Sequence, residues 1–264
     1  MSPVRIILRR ELASYFATPV AYVFIVIFLV LAGVCTFSLG GLYESNQADL
    51  SPLFRFLPWL YLFLVPAVSM RLWAEERKTG SIELLLTQPV TLWQAVLGKF
   101  FAAWLFVGIA LALTFPTWVT INYLGNPDNG AVLAGYIGAF IMAGAYLAIG
   151  SCMSALTNNQ VIAFVLTAVV CFVFALAGYS AITDWSRNLF DWIAGWSFMG
   201  AGAKETVQSI GDSITSGIAG LSFLSHFENI SKGVLALRDL LYFGLVITFF
   251  LLSSAALLEK RKSN

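Results

Sequence analysis

Long apolar runs separated by short charged stretches dominate the chain from Thr18 onward. The uncharged runs cover 17–43, 56–70, 100–127, 129–183 and 240–258. A helix needs about 20 apolar residues to cross the hydrocarbon core of a bilayer. The run 129–183 is too long for one crossing and divides at the polar cluster Thr157-Asn158-Asn159-Gln160, which reads as a short turn. The pattern therefore predicts six transmembrane helices, at 20–42, 54–72, 99–122, 131–155, 160–182 and 239–258. The second has a short uncharged core, so Arg55 and Arg71 must snorkel at its two ends. Pro58, Pro66 and Pro116 fall inside predicted spans and are expected to kink or break them. In the fourth span Gly135, Ala139, Ala143, Gly144 and Ala148 form a small-residue stripe, expected to pack against the chain's own bundle rather than a second subunit.

Composition supports the same class. Hydrophobic residues make up 59% of the 264 and charged ones 11%, against about 25% charged in soluble domains. The fold class is thus an all-α polytopic membrane protein. A net charge of +1 gives no reason to expect nucleic acid as a partner. Cys35, Cys152 and Cys171 lie in apolar runs and read as small packing residues, and His226 is the single histidine, so a protein-built metal site is not expected. No phosphate-binding GxxxxGK[ST], HExxH or GxSxG occurs; Gly98-Lys99 lacks the flanking residues of a phosphate loop. The chain is expected to bind no cofactor and to carry no catalytic or metal site. No charge sits at the centre of a predicted span, which argues against a proton-driven carrier. Ten of the 15 basic residues fall on one side if both termini are inside, which predicts N-in, C-in by the positive-inside rule.

Three segments lie outside the spans. Residues 3–17 carry Val4, Leu8, Leu12 and Phe16 at helical spacing with Arg5 and Arg9 on another face, the pattern of an amphipathic helix at the inner interface. It is either a surface anchor or an elbow that also touches a cytoplasmic partner. The outer segment 183–238 is aromatic and Gly-rich, with Trp185, Phe190, Trp192, Trp196 and Phe198. Short interfacial or re-entrant helices are expected there, two further full spans being the alternative. The inner loop 73–98 concentrates charge and then turns apolar at Ile82, Leu84, Leu85 and Leu86. Ser81 or Thr79 is a candidate cap for a short helix ended by Pro89, and Thr91 for the next. The apolar face of that short helix packs either on the bundle or on a partner.

The block Glu75-Glu76-Arg77-Lys78-Thr79-Gly80-Ser81-Ile82-Glu83-Leu84-Leu85-Leu86, followed by Pro89-Val90 and Gly98-Lys99, resembles the first cytoplasmic loop of the ABC type-2 exporter permeases. The resemblance runs over nearly the whole chain, including Ser225-His226-Phe227-Glu228-Asn229-Ile230-Ser231-Lys232-Gly233 before the last span. Within the family it looks most like the gliding-motility-associated permeases and the permease of nitrous-oxide-reductase maturation. The resemblance implies one permease domain over 1–264 in the bacterial inner membrane. Two permease chains would pair, as a homodimer or a heterodimer, above a dimer of separate cytoplasmic ATPase subunits that hold ATP and Mg. It implies a coupling loop with Glu75, Glu76, Arg77, Gly80, Glu83, Leu84, Leu85 and Pro89, its coupling helix at 80–88. It also implies an outer re-entrant segment at 222–235 with Phe223, His226, Phe227, Glu228 and Gly233. The function implied is ATP-driven export. The alternatives are mechanotransmission to a periplasmic or auxiliary partner without transport, for which the insert at 185–221 would be the docking surface, and an independent carrier or channel.

Overall fold

The computed structural model describes residues 3–44, 48–80, 91–194 and 201–262, and every regular element among them is a helix. Helix α1 (Pro3–Ala17) ends where Thr18 turns extended, and Pro19 starts α2 (Pro19–Val34), which closes in a π-helical turn over Cys35–Leu39. Proline suits the first turn because its missing N–H would have no partner there. Then come α3 (Ser51–Ser69), α4 (Arg71–Thr79), α5 (Leu92–Ala112), α6 (Phe115–Leu124), α7 (Asn129–Leu156) and α8 (Gln160–Leu176). Helices α9 (Ser180–Ala194), α10 (Ala201–Ala219), α11 (Phe223–Ser231) and α12 (Leu237–Lys262) complete the chain.

Five stretches are long and apolar enough to cross a membrane: Pro19–Leu39, Ser51–Thr79, Leu92–Leu124, Asn129–Leu156 and Leu237–Lys260. A sixth apolar helix, Gln160–Leu176, has 17 residues, the lower limit of about 17 for a span. The boundaries differ from the hydropathy reading at several places; the fifth span, expected to run to 182, ends at Leu176, and α9 starts at Ser180. The second span does not stop at 72, because α4 continues it for more than two turns into the charged block. The third starts at Leu92 rather than 99, because Thr91 and Gln94 form a reciprocal capping box, each side chain bonded to the other's backbone N–H. The inner loop expected at 73–98 is thus helical up to Thr79 and again from Leu92. The turn at 157–160 forms as expected, with the Asn159 side chain accepting from Val161 N to cap α8.

The prolines act unequally. Pro116 sits at the start of α6 after a break at Leu113–Thr114, whereas Pro58 and Pro66 lie inside α3 without interrupting it. Tyr146 donates to the carbonyl of Pro58, and Ser69 and Met70 donate to that of Pro66. Helix α7 is the centre of the bundle and packs against α3, α4, α5, α8, α11 and α12. Its stripe of small residues serves this packing within the chain: a Cβ placed on Gly135 would lie 2.5 Å from Phe54 Cε2 of α3, and one on Gly150, beyond the stripe, 2.0 Å from Ser69 Oγ.

The bundle has two distinct ends. At the terminal end lie α1, α4, the start of α5 and the final turns of α12, with α4 and α12 linked to α7 through Trp73, Ser151 and Ser254. At the far end the turn after α2 meets the start of α3, where Gly40 lies against Pro52, and Gly233 before α12 lies against Ala131 at the start of α7. Helices α9 and α10 pack on each other as a hairpin at this far end, followed by the short helix α11. The alternative of two further full spans does not hold among the described residues: neither α9 nor α10 reaches the apolarity of a span.

Candidate functional site

Helix α4 delivers the first half of the charged block to the terminal end as a rigid extension of the second span. Leu72, Trp73 and Ala74 are buried, while Glu75 and Lys78 face outward. Trp73 anchors the helix to α7: its indole N–H donates to Ser151 Oγ at 3.1 Å, and its backbone N–H donates to Ser154 Oγ at 3.1 Å. Ser154 also accepts from Ala74 N and donates to the carbonyl of Met70. Ser154 thus occupies backbone groups exposed where α3 passes into α4, while Ser151, one helical turn earlier, holds the indole. Arg77 adds a hydrogen bond from its guanidinium to the Ala155 carbonyl at the end of α7.

Lys99 joins this helix to two others. It lies on α5, is only 3% exposed, and its ammonium sits 2.7 Å from Glu76 Oε1 on α4 and 3.6 Å from Glu11 Oε2 on α1. The same ammonium lies over the Trp73 ring, 5.3 Å from its centre, where the ring face attracts a cation. Glu11 also receives Arg10 at 2.8 Å. A buried ammonium is tolerable only when paired in this way. One residue before it, Gly98 lets α1 close on α5: a Cβ there would stand 2.7 Å from Ile7 Cγ2. Tyr15, on the same side of α1, stacks on Phe106. Burial, with the charge of Glu11 adding to it, pushes the Tyr15 hydroxyl well above its ordinary pKa. A cleft of about 400 Å³ opens beside the cluster, lined by Glu11, Tyr15, Arg71, Glu75, Glu76 and Lys99.

The rest of the expected coupling loop divides in two. Gly80 is the left-handed C-cap of α4, with φ +72°, and the Thr79 hydroxyl donates back to the carbonyls of Glu75 and Glu76. Thr79 is thus the last residue of α4, and the short helix that Thr79 or Ser81 was expected to cap starts outside the described residues. Glu83, Leu84, Leu85 and Pro89, and with them most of the coupling helix expected at 80–88, lie outside the described residues.

The outer-segment residues come together at the far end as a wedge. Ser222 caps α11 by accepting from Ser225 N, and its hydroxyl reaches the Ala175 carbonyl of α8. Phe223 is fully buried among Tyr146, Phe174, Tyr242 and Phe243. Phe227 packs edge-on against Phe54. His226 stacks on Tyr242 with ring centres 4.1 Å apart, and both its nitrogens have oxygen partners: Asp239 at 2.6 Å and the Gly220 carbonyl at 3.0 Å. Gly233, at φ +88°, makes the turn into the last span. Glu228 and Lys232 form an exposed ion pair on the outer side of α11. A groove of about 870 Å³ opens between α3, the end of α8 and α11, with Arg55, Trp59, Tyr179, Phe227, Glu228 and Lys232 in its wall.

The family described as ABC-2 family transporter protein matches residues 20–262. This chain belongs to that family. The permease is therefore a membrane component of an ABC transporter, as the loop motif suggested. No curated protein matches the chain. Glu11, Trp73, Ser151, Ser154 and Asp239 complete the two ends of the permease, although the sequence did not single them out. Lys99 had been noted only as part of a motif. Its available signal was position: a lysine entering an apolar run beside a small residue is either snorkelling or paired, and the approach of α4 and α1 distinguishes these.

Proposed function

We propose that this permease couples ATP hydrolysis in a separate cytoplasmic ATPase pair to export, with its terminal end as the receiving side and a second permease chain completing the path. The observation that carries the reading is the Lys99 cluster. It ties the N-terminal helix, the extension of the second span and the root of the third around one buried charge, directly beside the loop that family resemblance assigns to ATPase contact. A push on α4 is then shared by α1 and α5, and through Trp73 by the central helix α7. The bias of basic residues supports placing this end in the cytoplasm of a bacterial inner membrane, with both termini inside. The far-end groove, part apolar and part charged, supports an exit for an amphiphilic cargo.

The test is reconstitution of the permease with the ATPase subunits, reading assembly by pull-down and then turnover. Glu76→Gln is expected to assemble but lose the link between hydrolysis and ATP-driven movement at the far end. Leu85→Asp is expected to weaken assembly itself, and Glu83→Ala to leave the complex assembled but uncoupled. If all three variants assemble and work like the parent, the 71–99 region is not the coupling element.

A further inference from the structure

The α9–α10 hairpin has an asymmetry that the coupling reading does not use. The two helices run antiparallel, with Ser186 Oγ 2.8 Å from Thr215 Oγ1, Phe190 against Gly211 and Asp191 bonded to Gln208. At about 100° per residue, Trp185, Leu189 and Trp192 lie about 60–120° to one side of the Ser186 seam position. Ile210 and Ile214 lie about 60–100° from the Gly211 seam position in the same sense. In an antiparallel pair, equal sense about each helix places both sets on one face of the hairpin. Trp185 is 66% exposed, Trp192 62%, Ile210 49%, Ile214 43% and Leu189 40%. The opposite face carries Asp184, Asp191, Glu205 and Asp212 against Arg187, all exposed.

The hairpin is also held at the level of the membrane surface. Three residues separate the end of α8 from α9, and three separate α10 from α11. The second link is pinned at each residue: the Gly220 carbonyl by His226, the Leu221 carbonyl by Tyr242, and Ser222 to Ala175 on α8. Gly178 in the first link packs on Ser222. Tyr43, Tyr123 and Tyr179 are exposed at the far ends of the other crossings and of α8, the belt expected where hydrocarbon meets water. The hairpin springs from that belt.

We propose that the α9–α10 hairpin lies in the far-end membrane interface, with the Trp185, Leu189, Trp192, Ile210 and Ile214 face sunk among lipid acyl chains and the acidic face in water. The occupant is lipid because the face is uncharged and tryptophan-rich and begins at the tyrosine belt. The acidic balance of the other face makes the attachment apolar rather than electrostatic. The hairpin then moves with the outer monolayer and the pinned α11, so displacement of α12 at Asp239 and Tyr242 is felt by the lipid around the exit groove.

Nitroxide labels at Leu189, Ile214, Asp191 and Asp212 test this, one at a time, in the full chain in phosphatidylcholine vesicles, with the three cysteines replaced. Leu189 and Ile214 labels are expected to collide more with oxygen than with a nickel chelate, at a depth of about 5–10 Å below the headgroups. Asp191 and Asp212 labels should show the reverse, and adding anionic lipid should change neither. Nickel-accessible labels at Leu189 and Ile214 would place the hairpin in water and overturn the proposal. Labels there shielded from both reagents would overturn it in favour of a protein partner or a second permease chain. Brominated lipid gives an independent reading: the parent should be quenched more than Trp185→Phe/Trp192→Phe, and equal quenching also refutes the lipid contact.

Discussion

The two ends of the bundle solve the same problem, joining short surface helices to long spans, with different chemistry. At the terminal end three helices meet on a buried ammonium, and their contacts are ion pairs between residues far apart in sequence: Glu11, Glu76 and Lys99. At the far end α11 is held by an aromatic wedge, Phe223 among four rings, with His226 and Asp239 as a compact polar pin. A charge cluster is directional and loses much when one partner leaves, whereas aromatic packing is distributed over many weak contacts. The terminal end is thereby suited to hold α1, α4 and α5 as one body, and the far end to hold α11 while its neighbours repack.

That difference predicts a ranking of substitutions, read as thermal unfolding of the detergent-solubilised permease. Lys99→Met removes the ammonium that Glu11 and Glu76 share and should cost about 3–5 kcal/mol, the penalty of breaking a buried ion pair from one side. A loss under about 1 kcal/mol would show that water reaches the cluster. Phe223→Ala should cost about 3–5 kcal/mol as well, with a smaller effect on the geometry of α1 and α4. Gly98→Ala drives a methyl against Ile7 and should cost about 1–3 kcal/mol through separation of α1 from α5. His226→Phe keeps the stacking on Tyr242 but strips Asp239 and the Gly220 carbonyl of their partner, for about 1–3 kcal/mol. Lys232→Ala removes an exposed pair, 66% and 65% open, and should change stability by less than about 0.5 kcal/mol.

The two ends were also unequally legible in the sequence. The spans follow from apolar runs, and the turn at Thr157–Gln160 and the cap at Thr91 follow from local chemistry acting within four residues. The far-end wedge was visible as a segment, because Leu221–Leu237 is apolar with His226, Glu228 and Lys232 embedded, and the family resemblance implied Phe223, His226 and Phe227 within it. The terminal cluster was half visible. Glu76 lies in a charged block that invites attention, but Glu11 sits on a helix whose register against α5 depends on Gly98, and no local pattern encodes that distance. The continuation of the second span through Trp73 was hidden for the same reason. Hydropathy ends a span at the first charges, while the helix itself persists because Ser154, about 80 residues away, satisfies its backbone and Ser151 holds the Trp73 indole. The face of the α9–α10 hairpin needed the seam, which only the contact of Ser186 with Thr215 defines.

The central claim is that the buried ammonium makes α1, α4 and α5 a single rigid unit that receives motion from the ATPase. Paired nitroxides at Arg9 and Lys78, with Cys35, Cys152 and Cys171 replaced, measure it by pulsed electron–electron resonance on the reconstituted complex. The parent should give one narrow distance distribution that is the same without nucleotide and with ATP trapped, and Lys99→Met should broaden it. A parent distance that shifts when nucleotide is trapped would mean that α1 and α4 move independently, and the cluster would not be the coupling body.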